Sequence, residues 1–98
     1  MLFAVRFFDK VDWAAVRRAH LQTHLDWLDK NREAVLVAGS LREAPGEDAV
    51  GGLWIVQAPS KRAVEDLIGS DPFTLVGLRH KIEILHWSKA FENRSVVI

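Results

Sequence analysis

The chain has no cysteine among its 98 residues. That absence excludes disulfides, thiolate nucleophiles and thiolate-bound metals, and it points to a reducing, cytoplasmic setting. There is no surplus of charge of either sign: 13 Lys and Arg balance 13 Asp and Glu. Nothing in that balance favours nucleic acid or an anionic membrane surface as a partner. No apolar run approaches the roughly 20 residues of a membrane span. Met1 to Phe8 is too short for the apolar region of a signal peptide with its cleavage site, and it carries Arg6. Repeats and low-complexity segments are missing as well. Gly46, Gly51 and Gly52 are not followed by Gly-Lys-Ser/Thr, and the glycine pair leads into a strand-like run, so no phosphate loop is present. Arg17, Arg18 and Arg32 form no stripe with interleaved aromatics, which argues against single-stranded nucleic acid. The expectation is one domain over residues 1–98, with a tail from about residue 89, whose partner is a small molecule.

What the chain does have is a regular alternation of elements. Leu2 to Phe8 is short and rich in β-formers, so it reads as a strand. Asp12 is a candidate N-cap for a helix over Trp13 to Lys30, a stretch free of Gly and Pro. Ala34 to Leu41 reads as a second strand, Glu43 to Gly52 as a loop, and Leu53 to Ala58 as a third strand. Ser60 is a candidate cap for a helix over Lys61 to Ile68, stopped by Gly69. Asp71-Pro72 opens a short helical segment toward Leu78, with proline at the favoured first position. His80 to Trp87 completes the set as a fourth strand. The order βαββ(αα)β, with right-handed crossovers, gives an α+β ferredoxin-like βαββαβ sandwich: a four-stranded antiparallel sheet with both helices on one face.

The strand composition adds an expectation about assembly. Phe3, Val5 and Phe7 oppose Leu2, Ala4 and Phe8 across the first strand, and Leu53 and Ile55 oppose Trp54 and Val56 across the third. Both faces are apolar, yet two helices cover only one. Soluble monomers seldom expose an apolar patch larger than a few hundred Å². A homodimer through the open sheet face is therefore expected.

Candidate chemistry is sparse. His20 and His24 stand four apart on the first helix, the spacing of a two-histidine metal pair. The zincin form needs glutamate directly after the first histidine, where this chain has Leu21, and no third ligand is nominated by spacing. No metal and no cofactor are therefore expected. Asp71 has a structural explanation as the N-cap of the Pro72 segment, and Ser40 lacks the Gly-x-Ser-x-Gly setting of an exposed nucleophile. A histidine and a carboxylate remain the commonest partners for proton transfer near neutral pH.

Several short motifs in this order resemble one family. They are His24-Leu-Asp-Trp-Leu28, Val35-Leu-Val-Ala-Gly-Ser-Leu41, Gly51-Gly-Leu-Trp-Ile-Val56, Ser70-Asp-Pro-Phe73, Gly77-Leu78 and Glu83-Ile-Leu-His-Trp87. Together they are similar to the YciI-like, or YCII-related, domain, over about residues 1 to 90. The resemblance implies a dimeric α/β barrel of ferredoxin-like units, with a histidine–aspartate pair in a cleft as the proposed active site. Some relatives remove chloride from chlorinated hydroxymuconates. Matched motif by motif, the pair falls on His24 and Asp71. The chain departs from the pattern at Leu21, where an arginine is frequent, at Ser40, where proline is usual, and at Trp27, often tyrosine. Arg17 or Arg18, about one turn earlier, is placed to substitute for that arginine.

The functional expectation is a small cofactor-independent enzyme performing general acid/base chemistry on a small carboxylic or carbonyl compound. His24 and Asp71 are its catalytic candidates, and Ser40, Arg18 and His20 its substrate-binding candidates. The alternative is a non-catalytic dimeric module that binds a small ligand or a partner, in which the His24–Asp71 hydrogen bond is structural. Exposure of the pair separates the two: a sealed pair favours structure, and an open cleft favours chemistry.

Overall fold

A computed structural model describes residues 1–98. Its elements are β1 (Leu2–Asp9), α1 (Ala14–Lys30), β2 (Val35–Leu41), β3 (Gly51–Gln57), α2 (Lys61–Ser70), α3 (Pro72–Leu75) and β4 (Arg79–Trp87). The strands form one sheet in the order β2-β3-β1-β4, with every neighbouring pair antiparallel. This is the ferredoxin-like α+β sandwich expected from the element order. No helix is long and apolar enough to cross a membrane.

The period-2 alternation of β1 sends Phe3, Val5 and Phe7 beneath the helices, where all three are buried. They face Val56, Trp54 and Gly52 of β3 in register. Val64 and Ile68 of α2 complete this core from above, with Trp27 and Leu28 of α1 at its edge. The other face carries Ala4 between Ile55 and Leu85, and Arg6 between Leu53 and Glu83. Leu53, Leu85 and Trp87 are exposed on it. Of the two apolar sets, the Leu53–Ile55 set is thus the outward one, and Trp54 belongs to the core.

Three boundaries differ from the sequence reading, each for a local reason. Gly51 and Gly52 belong to β3 rather than to the preceding loop. A Cβ on Gly51 would lie 2.0 Å from the Phe7 carbonyl oxygen, so the pair serves close strand approach. Asp12 does not cap α1. It takes a left-handed φ of 65°, and the capping position falls on Trp13, which makes no side-chain cap bond. Gly69 does not stop α2, which runs through Ser70 and ends at the extended residue Asp71. Ser60 does cap α2, accepting the Ala63 N–H at 3.2 Å.

Candidate functional site

The Ser70-Asp71-Pro72-Phe73 motif grips one turn of α1. Ser70 Oγ accepts the Trp27 indole N–H at 3.2 Å. The Asp71 carboxylate meets His24 Nδ1 at 2.6 Å. Phe73 stacks on the His24 ring with centroids 3.9 Å apart. Pro72 occupies the first position of α3, and the Asp71 side chain makes no capping bond. The capping explanation for this aspartate is therefore set aside: its oxygens are directed to other partners.

One oxygen goes to His24. The other, Oδ2, accepts from Arg79 Nη1, which also reaches Thr74 Oγ1 at 2.7 Å. Arg79 heads β4 and lies over the Phe7 ring at 3.8 Å. Its side chain is 4% exposed. Burial pulls its pKa below the ordinary guanidinium range, and the contact with Asp71 opposes that pull. Arginine only donates, so Asp71 is acceptor toward Arg79, and as a carboxylate it is acceptor toward His24 as well. In its neutral form the imidazole then carries its proton on Nδ1 and leaves the Nε2 lone pair unused.

Nε2 faces a cavity of about 510 Å³ between α1, the β2–β3 loop and the sheet. It has no protein hydrogen-bond partner, and it is not among the buried unpartnered atoms, so it is open to that space. Trp54 and Phe73 line the inner end, and Leu21, Leu25 and Leu28 form an apolar wall. Leu21 and Leu25 are 40% and 45% exposed, because their face of α1 overhangs the cavity. Asp71 itself is fully buried behind His24 and does not reach the cavity. The pair is thus open at the imidazole and sealed at the carboxylate.

The remaining candidates divide. Arg18 and Ser40 line the outer part of the cavity. Arg18 bridges to Asp48 of the β2–β3 loop at 3.3 Å, and Ser40 Oγ accepts from Arg42. His20 does not line the cavity. On a helix turning 100° per residue it lies about 40° from His24, on the side away from Arg17, Leu21, Leu25 and Leu28. The structure therefore does not bring His20 to the cavity with the other candidates. No group of three or more His, Cys, Asp or Glu converges as a metal-ligand set.

Two residues that sequence reasoning left without a firm role belong to this site. Arg79 was not nominated. Its signal was an arginine at the head of a strand eight residues after Asp71, a spacing the chain also shows between Asp9 and Arg17. Arg17, weighed only as a substitute, lies two turns before His24 and lines the cavity. Its Nε donates to Asp9 Oδ2 at 2.8 Å, and its Nη2 to Asp9 Oδ1 at 3.3 Å and Gly51 O at 3.1 Å.

Fold and cleft together define a ferredoxin-like α+β protein with an imidazole–carboxylate pair at the back of an open cavity. The chain belongs to the YCII-related domain family, whose model matches residues 1–88. It is similar to the solved 5-chloro-2-hydroxyhydroquinone dehydrochlorinase TftG of Burkholderia phenoliruptrix, in complex with 2,5-dihydroxybenzoquinone. That likeness has 27% sequence identity and a TM-score of 0.83, over 90% of this chain and 94% of that one. A putative antibiotic biosynthesis monooxygenase from Bacteroides thetaiotaomicron matches at 16% identity and TM-score 0.56, over 99% and 95% of the two chains. Another antibiotic biosynthesis monooxygenase matches at 16% and 0.50, over 91% and 100%. These two speak for the fold alone. No curated protein matches the chain.

Proposed function

We propose that this protein is a small enzyme that moves a proton on a small hydroxylated, carboxylic or carbonyl-bearing substrate, with His24 Nε2 as the acid/base group and Asp71 as its orienting partner. The observation that carries the reading is the 2.6 Å Nδ1–Asp71 bond with Nε2 left open to a cavity. In the forward step Nε2 accepts a proton from a substrate C–H or O–H. The electron pair released moves onto a conjugated carbonyl oxygen or expels a leaving group, and the imidazolium returns its proton to product or solvent. Asp71 holds the ring in the tautomer that can accept, and stabilises the imidazolium once formed. The dehydrochlorinase activity in the name of the similar protein is chemistry of this kind and lends support. A base of this type contributes roughly 10²–10⁴-fold. Arg18 and Ser40 at the cavity rim are the proposed outer contacts to substrate.

The proposal includes a cytoplasmic homodimer, supported by the lack of cysteine and by the apolar face carrying Ala4, Leu53, Ile55 and Leu85. Such a dimer should bury at least about 1,200 Å² in total. Leu53→Asp should then give monomer or aggregate by size-exclusion chromatography with light scattering, and a wild type that runs as a stable monomer at micromolar concentration refutes this part.

The catalytic test is chloride release from 5-chloro-2-hydroxyhydroquinone, run beside deuterium exchange into a panel of enolisable keto acids and hydroxylated aromatic acids. The wild type should act on at least one of these, and His24→Ala should lose about 100-fold or more of that rate. Equal rates in the two proteins would remove His24 from the chemistry.

A further inference from the structure

Two guanidinium groups face the same cavity with donors to spare. Arg17 lies about 20° from His24 around α1, on the same face. Asp9 and the Gly51 carbonyl hold its Nε and Nη2. Its Nη1 has no partner and is not sealed in protein. Arg79 engages Asp71 and Thr74 through Nη1. Its Nη2 is likewise free and unsealed, while its Nε is buried without any partner. Phe73 is the common neighbour: the Arg17 guanidinium lies 4.9 Å from its ring, that of Arg79 5.6 Å, and His24 stacks on it. The three groups are thus gathered around one ring, at the inner end of one cavity.

The carboxylates stand on the other side of this arrangement. Arg17, Arg79 and His24 line the cavity, whereas Asp9 and Asp71 do not. Their side chains are 6% and 0% exposed. A molecule at the inner end meets N–H donors, with the balancing anions behind them. The rim differs: Arg18 is already paired with Asp48, and Arg42 with Ser40 and the Glu47 carbonyl.

We propose that Arg17, seconded by Arg79, forms an oxyanion cradle, and that the substrate is a planar molecule whose oxygen is anionic or becomes so as His24 takes its proton. This rests on the reading of His24 as base and names the substrate class that base serves. In the balanced step the substrate C–H bond breaks, its proton goes to Nε2, and the pair forms a C=C bond while the carbonyl π pair moves onto oxygen. The resulting enolate or phenolate oxygen is held by Arg17 Nη1. Asp9 fixes that donor in advance, so no reorganisation is required as charge develops. A guanidinium suits the role because its planar fork stays charged throughout.

The test uses two probes of similar shape: 2,5-dihydroxy-1,4-benzoquinone, ionised at neutral pH, and its dimethyl ether, which cannot ionise. Calorimetric titration of the full chain should show the wild type binding the ionised probe at least about ten-fold more tightly, the worth of one charge-assisted hydrogen bond. Arg17→Gln should reduce that preference to within about two-fold, and His24→Ala should keep it. A wild type without the preference, or a folded Arg17→Gln that retains it, overturns the cradle. Loss of turnover in His24→Ala is scored separately, so either reading fails without the other. Where Arg17→Gln does not fold, the ¹⁵N guanidinium resonances of Arg17 in the wild type give the same answer. They should move with the ionised probe and not with the ether, and an unmoved resonance overturns the proposal.

Discussion

Two Asp–Arg pairs with the same eight-residue separation flank Phe73, and they are put to different uses. Asp9 gives both oxygens to Arg17, as a two-point clip. Asp71 divides its oxygens, one to Arg79 and one to His24. The first pair is complete in itself and leaves its arginine with a donor facing the cavity. The second is shared, and its arginine constrains the histidine through the carboxylate between them. Residue type and spacing are identical in the two. The difference lies in the third partner: the Asp71 carboxylate also holds an imidazole, and the Asp9 carboxylate does not.

Neutralising the two carboxylates separates them most sharply. Asp71→Asn and Asp9→Asn each replace a buried acceptor by an amide and should each lower stability by about 1–3 kcal/mol in urea unfolding. Their kinetics should diverge. Asparagine at 71 turns an N–H toward Nδ1 and favours the tautomer with the proton on Nε2, so kcat should fall about a thousand-fold or more. Asparagine at 9 loosens the Arg17 donor without removing it and should lower kcat by no more than about ten-fold. Similar kcat losses in both variants would erase the distinction drawn between the pairs.

Removing the arginines probes the same contrast through stability. Arg79→Met strands a fully buried carboxylate and should cost about 3–5 kcal/mol. Arg17→Met should cost less, because Asp9 lies nearer the surface, at 6% exposure. A denaturant series that reverses this order would show that His24 alone satisfies Asp71. The smallest effect is expected at the exposed pair Arg18–Asp48, whose side chains are 64% and 71% open. Arg18→Ala should change stability by less than about 0.5 kcal/mol, which sets the baseline for judging the buried pairs.

The fold was legible in the sequence because its signals are local. Short runs rich in β-formers marked the strands, Ser60 marked a cap, and Pro72 marked a helix start. Misread boundaries came from residues whose local preference yielded to long-range geometry. Gly51 reads as a loop residue until the Phe7 backbone arrives beside it, and Asp12 reads as a cap until its backbone turns left-handed. The same limit held at the site. His24 and Asp71 could be paired through motif resemblance, but Arg79 could not be nominated, since nothing near it in the chain says that it passes over Phe7 to reach Asp71. The position of His20 beside the cavity rather than on it was hidden for a related reason: a four-residue interval gives proximity on a helix, and only the neighbouring elements decide which side is a cavity.

The grip of residues 70–73 on α1 also bears on when the site exists. His24 and Asp71 are 47 positions apart, so their bond belongs to the high-contact-order part of the structure, and α3, four residues long, is too short to persist without it. Undocking of α3 would free the imidazole while the sheet stays intact, a sub-global opening that costs less than unfolding the whole chain. On warming, activity should disappear before the far-ultraviolet circular dichroism changes, so the site reports on the docking of one short segment.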